Sequence, residues 1–594
     1  MVKFATNSLT FWLTFLAILL VLIRCANPVM PTGGLKDEVP PEAVSSVPAN
    51  FSVNVQGKSI SITFNEFVKL DKINEQVLIS PPPATNPEFR LRGKTLTVRF
   101  EDELMPSTTY TVFFGEAIVD LTENNPLSGY TFVFSTGSVL DSMSLKGQVY
   151  NAFDLKAAEN AYVLLYLLNN DTIPVDSLPY LVKPYYVART NKLGAFRFQN
   201  LKDDAFKMFV LSDLNSNFIY DMPGEMIAFS DTLVRPIYVK PPILDSVLKP
   251  DSISKVKTVN AIADSVSAII DTIPETVKLR LALFQETDST QKLLRAEIVK
   301  PGLLRFAFRQ NARDISIESL QPLPDSFDLM PFFSANSDTL LWYFRQNVLD
   351  SIHLSIQQDT LLNDTLHISL KPRQAAQARR IIPKESDKKG DFLNYTTNTT
   401  GRRLEINEAL KFTFDYPVTL LRDRDSARII TNADTTFRTL QFEKHDSIGL
   451  VYKLAHNFET ESSYSLQIPD SCFLGLNGLW NDTIRLSFKV PALTDYGNLF
   501  LKLEFESEPH IILQLLGSKD VVVREYYLSK EQTIQMENLQ PGKYRLKAIY
   551  DRNNNKRWDT GNYLKGIQPE KVLFFKKELE IRANWDFEES WLLE

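Results

Sequence analysis

The 594-residue sequence predicts an all-β chain of tandem β-sandwich modules, set behind a signal peptide and a tether. Three observations lead there. Short segments alternate apolar and polar residues and are bounded by Pro, Gly, Asn and Asp, the pattern of half-buried antiparallel strands. The 39 Phe and 21 Tyr supply flat side chains suited to pleated faces. The length exceeds one core and, at about 100–150 residues per domain, calls for four to six.

At the N-terminus, Lys3 precedes an apolar run from Phe11 to Ile23. That run of about 13 residues is shorter than the ~20 that span a bilayer, and fits the apolar region of a secretory signal peptide. It ends in Leu22-Ile23-Arg24-Cys25, which resembles the lipobox of bacterial lipoproteins. Arg24 departs from the small residue usual before the cysteine. The resemblance implies cleavage after residue 24 and a lipid on Cys25. Residues 25–45 are rich in Pro, Gly and charge and read as a tether. Their pattern, Cys25-Ala26-Asn27-Pro28 through Pro40-Pro41 with Lys36-Asp37-Glu38 between, resembles the mature start of Bacteroidota lipoproteins. That likeness implies an outer-membrane, lipid-anchored protein facing the periplasm or the cell surface.

The first module spans 46–137. Ile60, Ile62 and Phe64 alternate, as do Leu96, Val98 and Phe100, Tyr110, Val112 and Phe114, and Tyr130, Phe132 and Phe134. The words Ile62-Thr63-Phe64-Asn65-Glu66 and Phe132-Val133-Phe134-Ser135-Thr136 resemble the bacterial Ig-like domain of S-layer proteins. Residues 138–240 hold a second module. Its Gly194-Ala195-Phe196-Arg197-Phe198-Gln199-Asn200-Leu201 followed by Phe206 through Asp213 resembles the carboxypeptidase-regulatory, transthyretin-like sandwich, with only that accessory fold implied. Residues 241–275, rich in Asp, Ser and Pro, read as a linker or insertion, 276–373 as a β-sandwich of uncertain type, and 374–394 as a second linker.

The pair then repeats. Leu410, Phe412 and Phe414 with Ser463-Tyr464-Ser465-Leu466 mark a second Ig-like domain at 395–491. Ile534, Met536, Asn538-Leu539, Tyr544 and Asp551 match Phe196, Phe198, Asn200-Leu201, Phe206 and Asp213 at identical spacing. They mark a second transthyretin-like sandwich at 492–594. The aromatic run Ile581 to Leu593 reads as its final strand, or else as an exposed tail.

One constellation is duplicated. Asp213, Asn215, Asn217 and Asp221 recur as Asp551, Asn553, Asn555 and Asp559. Oxygen side chains at positions one, three, five and nine of a tight loop can converge on calcium, which takes about six to eight oxygens. Phe218 and Lys556 stand where an EF-type loop has Gly, and Gly224 and Asn562 where it has a carboxylate. The other reading is a turn capped by Asp and Asn bonding their own backbone. Beyond calcium, no cofactor is expected.

His353, His367, His445, His456 and His510 show no ligand spacing and read as surface or sheet residues. Cys472 reads as a small core residue. A formal charge of −7 without a basic stripe argues against nucleic acid. No nucleophile elbow or phosphate-cradling loop stands out, so the expectation is a non-catalytic binding or scaffold lipoprotein. Its expected partners are the membrane, through the lipid, and another envelope protein, as in accessory subunits of outer-membrane assembly or secretion machines. Two alternatives stand beside it: a glycan-binding protein using aromatics such as Trp342-Tyr343 or Tyr526-Tyr527, and an envelope enzyme with a site in 241–395.

Overall fold

The computed structural model describes residues 37–593 except 169–172, 240–278, 288–289, 335–336, 347, 359–361, 371–391, 407, 423–427, 432–437 and 506–509. The signal peptide, Cys25, most of the tether, the 241–275 linker and most of the 374–394 linker therefore lie outside the described residues. The chain is all-β, a series of sandwiches whose sheets are mainly antiparallel. Among the described residues no helix is long and apolar enough to cross a membrane. Contacts divide the chain into two compact units. One runs to Tyr150 and resumes over Lys156–Leu283; the other comprises Asn151–Leu155 and Phe284–Glu594.

The first unit opens with a sheet ordered Ala43–Val47, Ser59–Phe64, Thr95–Arg99, Glu88–Arg92. A sheet of Leu78–Ser80, Thr109–Phe113 and Thr131–Ser135 faces it. The predicted alternation fixes the core: Ile60, Ile62, Phe64, Leu96, Val98, Phe132 and Phe134 are all buried. Residues 43–45, expected in the tether, instead open this sheet. The outer edge of Ser59–Phe64 would otherwise leave its N–H and C=O groups unpaired, and Ala43–Val47 covers it.

The second module of this unit has two four-stranded sheets. In one, Met143–Asn151 pairs with Ala195–Leu201, Ile237–Tyr238 and Arg280–Leu283; the other is ordered Tyr186–Arg189, Tyr162–Leu167, Phe206–Ser212, Met226–Phe229. By sequence, Arg280–Leu283 falls in the next module, 276–373. Here Leu281 and Leu283 enter the core beside Val149 and Phe198, and the Gln148 N–H donates to the Leu279 carbonyl at 3.0 Å. Alternation tells which face of a strand is buried, not which sheet receives it.

In the second unit, a sheet ordered Leu293–Lys300, Leu303–Phe308, Thr339–Tyr343, Met330–Phe333 packs on one ordered Ser316–Ser319, Ser351–Gln358, Leu362–Ser369. The next module sets Tyr395–Thr397, Lys411–Phe414, Val451–Leu454 and Phe442–Lys444 against Arg438–Thr439, Arg428–Thr431, Ser463–Ile468 and Ile484–Lys489. Cys472 lies buried in its core. In the last module Gln532–Leu539, Gly497–Phe505 and Asp586–Leu593 face Val522–Leu528, Ile511–Leu516, Gly542–Tyr550 and Val572–Phe574. Asp586–Leu593 lies parallel to Gly497–Phe505 in an otherwise antiparallel sheet. Trp591 and Leu593 turn into the core, so the aromatic run is a strand.

The duplication extends below the level of side-chain pattern. Tyr110 accepts a hydrogen bond from the Met105 N–H at 2.8 Å, and Tyr464 accepts one from the Glu459 N–H at 2.8 Å, five residues upstream in both cases. Tyr110 stacks on Phe134 at 5.4 Å, Tyr464 on Phe488 at 5.6 Å. These are tyrosine corners of the kind that pin Ig-type sandwiches. In the other pair of modules, Asn200 and Asn538 both hold φ of 57°. That is the left-handed region, which Asn tolerates better than most residues. It sits one residue before the strand-ending Leu201 and Leu539.

Candidate functional site

Within the first unit the two modules enclose a cleft of about 840 Å³. One wall comes from the Pro82-Pro83-Ala84 turn and the Phe100-to-Met105 segment of the Ig-like module. The other comes from Tyr166 to Leu168 and from Ile173 to Tyr185 of the second module. The lining is rich in aromatic and proline side chains, the surface usual in preformed binding pockets.

The polar atoms of these walls act as braces. The Tyr110 hydroxyl caps the Met105 N–H, and the Tyr166 hydroxyl donates to the Val182 carbonyl at 3.1 Å. Tyr185 and Thr108 hydroxyls meet at 3.4 Å across the two modules. The Lys183 ammonium donates to the Ala84 carbonyl at 3.0 Å, and Asp102 accepts from the Thr85 N–H at 2.6 Å. Burial pushes the Tyr110 phenol up, partly offset by the Met105 N–H it accepts from, so it stays neutral. Further bonds fix the modules together: Ser80 accepts from the Val187 N–H at 3.0 Å, and Thr109 from the Asp141 N–H at 2.9 Å. Hydrogen bonds thus tie the walls of the cleft together, and its lining is mainly apolar.

The duplicated Asp/Asn loops are built alike. Asp213 accepts from the backbone N–H of Asn215, Ser216 and Phe218. Asp551 accepts from Asn555 and Lys556. The Asn217 side chain accepts from the Ile219 N–H and donates to Asp221 at 2.9 Å; Asn555 accepts from Arg557 and donates to Asp559 at 2.7 Å. Asn215 and Asn553 donate to the same two carboxylates. Ser216 and Phe218, and likewise Asn554 and Lys556, sit at positive φ.

Each loop also closes on a buried glutamate that sequence spacing did not reveal. Glu225, four residues after Asp221, accepts from the N–H groups of Leu214, Asp221 and Met222. Glu570, eleven residues after Asp559, accepts from Arg552 and Asp559. The two glutamates reach the same pair of loop positions from different places in the chain. Burial raises the Glu570 carboxyl above its ordinary value, opposed by those two N–H donors. Among the described residues no group of three His, Cys, Asp or Glu is placed to hold a metal ion. Any cation in these loops would therefore depend on Asn and backbone oxygens beside two carboxylates.

Of the aromatics considered for glycan binding, Trp342 and Tyr343 are core residues, 4% and 6% exposed. Tyr527 is half exposed, but it stands on an edge strand with its hydroxyl on Glu525 at 2.5 Å and the Lys556 ammonium 5.3 Å over its ring.

Residues 37–136 match the bacterial Ig-like domain family. No curated protein matches the sequence. The solved structure of the S-layer protein SbsC, residues 31–844, aligns over 91% of this chain and 67% of its own, at 11% identity and a TM-score of 0.13. A variant of BcpA, the major pilin subunit of Bacillus cereus, aligns over 76% of this chain and 99% of its own, at 9% identity and a TM-score of 0.13. Likenesses at these values carry no argument about function.

Proposed function

We propose that this is a non-catalytic scaffold and binding protein of the bacterial envelope, lipid-anchored through Cys25 to the outer membrane and engaging another envelope protein through the cleft of its first unit. One observation carries the reading: hydrogen bonds tie the cleft's walls together around a lining that is mainly apolar and rich in aromatic and proline side chains. Such a surface suits an apolar or proline-rich segment of a partner, since affinity then costs little ordering of the receptor. On this reading the Asp/Asn loops are stiffened turns rather than cation sites. The burial of Trp342 and Tyr343 favours a protein over a glycan as the partner.

Two substitutions test the cleft without touching the core. Ala84→Trp fills its mouth, and Leu168→Glu puts a charge on its exposed rim. Crosslinking in intact cells, then purification through a C-terminal tag, should recover an envelope protein with the natural sequence and lose it with either variant. Equal recovery from all three would dismiss the cleft as the site. Cys25→Ala should move the protein from the membrane to the soluble fraction; retention at the membrane would remove the lipid anchor from the proposal.

A further inference from the structure

His353 and His367 are fourteen positions apart in sequence and directly opposed across the Ser351–Gln358 and Leu362–Ser369 strands. Their ring centroids lie 4.3 Å apart at an interplanar angle of 50°. The backbone explains the closeness. The Leu370 N–H donates to the Asp350 carbonyl at 2.9 Å, which marks 350 and 370 as a hydrogen-bonded pair. Pairs alternate along an antiparallel ladder, so 353 and 367, an odd number of steps away, form the pair without mutual backbone bonds. In that type the side chains come closest. The His353 carbonyl serves the other neighbour, accepting from the Leu320 N–H at 2.8 Å.

Both imidazoles are on the solvent face of this sheet, while Ile352, Leu354 and Ile356 fill the core face. Their neighbours on the same two strands are small, Ser351 opposite Ser369 and Ser355 opposite Thr365, while the exposed Leu320 lies opposite His353 on the side of the third strand. Glu318, opposite Ser355 on the third strand, places a carboxylate on the same face. Its side chain accepts from the Ser316 hydroxyl at 3.1 Å. The ladder thus holds two exposed imidazoles side by side at a fixed register.

We propose that His353 and His367 chelate one divalent late transition-metal ion. Imidazole nitrogen selects copper, nickel and zinc over calcium and magnesium, and the general order of affinity places Cu2+ above Zn2+. Among the described residues these two histidines are the protein ligands supplied, so water completes the coordination and the site exchanges its ion readily. The fixed strand register supplies the pre-organisation, because neither imidazole must be brought to the other.

Titration calorimetry of the full chain with Cu2+, with Zn2+ and with Ca2+ tests this in a buffer that does not chelate. One equivalent of Cu2+ should bind, Zn2+ more weakly at the same site, and Ca2+ not there at all. H353N and H367N should each weaken Cu2+ binding roughly 100-fold, the order of gain that joining two ligands provides. H445N should leave it unchanged. Both histidines are exposed, so circular dichroism of the two variants should match the parent. The electron paramagnetic resonance spectrum of the Cu2+ complex should show two imidazole nitrogens, falling to one in either variant. Undiminished affinity with a two-nitrogen signature in H353N or H367N would overturn the assignment, as would loss of binding in H445N alone.

Discussion

Lys547 offers a quantitative test of how burial sets stability in the last module. It lies on the Gly542–Tyr550 strand, 3% exposed, with its ammonium 3.2 Å from the centroid of the Phe153 ring and 5.8 Å from that of Phe574. Desolvation, opposed by Asp154 and Asp520 and aided by Arg545, pushes its pKa down from 10.5 to about 8. The ring faces attract the cation but do not replace its water. The sign follows from proton counting. Between about pH 8 and 10.5 the unfolded chain holds a proton that the fold has released, so stability rises with pH across that window. Below it, the fold carries the full cost of burying the charge. At 1.36 kcal/mol per pH unit that cost is about 3 kcal/mol at pH 7 and about 2 kcal/mol at pH 9. It vanishes near pH 11. Lys547→Met keeps the length of the side chain and removes the charge, so it should stabilise the module by about these amounts. Pulse proteolysis of the full chain in graded urea, read on the C-terminal fragment at pH 7 and pH 9, measures both numbers. A variant no more stable than the parent at pH 7, or a gap that does not narrow by pH 9, would refute the reasoning.

Other expectations concern the repeated braces. Tyr110→Phe and Tyr464→Phe each leave a backbone N–H without its acceptor, and each should cost about 1–2 kcal/mol. Calorimetry of the full chain should show one transition lowered by each variant, and a different one for each. Asp551→Ala removes the acceptor of the Lys556 N–H and one of the two acceptors of the Asn555 N–H, and should cost about 2 kcal/mol, equally with and without millimolar calcium. A calcium-dependent midpoint in the parent that disappears in Asp551→Ala would instead make the loop a cation site.

The strands that form the cores were legible because period-two alternation is a local property. The second copy of Phe196, Phe198, Asn200-Leu201 and Asp213 was legible because its spacing is unbroken. The structure adds that the copies share φ angles and hydrogen-bond partners. What stayed hidden depended on register or on chain returning from afar. Arg280–Leu283 looked like the start of a new module because nothing local says which open edge a strand will join. The cleft draws its walls from segments on either side of residue 140, so no window of sequence contains it. Glu225 and Glu570 do the same work at different spacings, which defeats motif matching. His353 and His367 meet only because the register of their two strands places them face to face.

The parallel strand that ends the last module has a mechanical meaning. Gly497–Phe505 and Asp586–Leu593 run side by side in the same direction over eight matched pairs, from Asn498 with Asp586 to Phe505 with Leu593. At ~3.3 Å per residue that ladder is roughly 26 Å long. Tension applied between residue 497 and residue 593 would slide one strand along the other. The inter-strand bonds would then resist together, instead of opening one after another as in a peeled hairpin. The force such a module withstands is governed by its unfolding rate. The geometry makes that rate the property of a whole ladder, so a pull along this axis meets the module at its strongest.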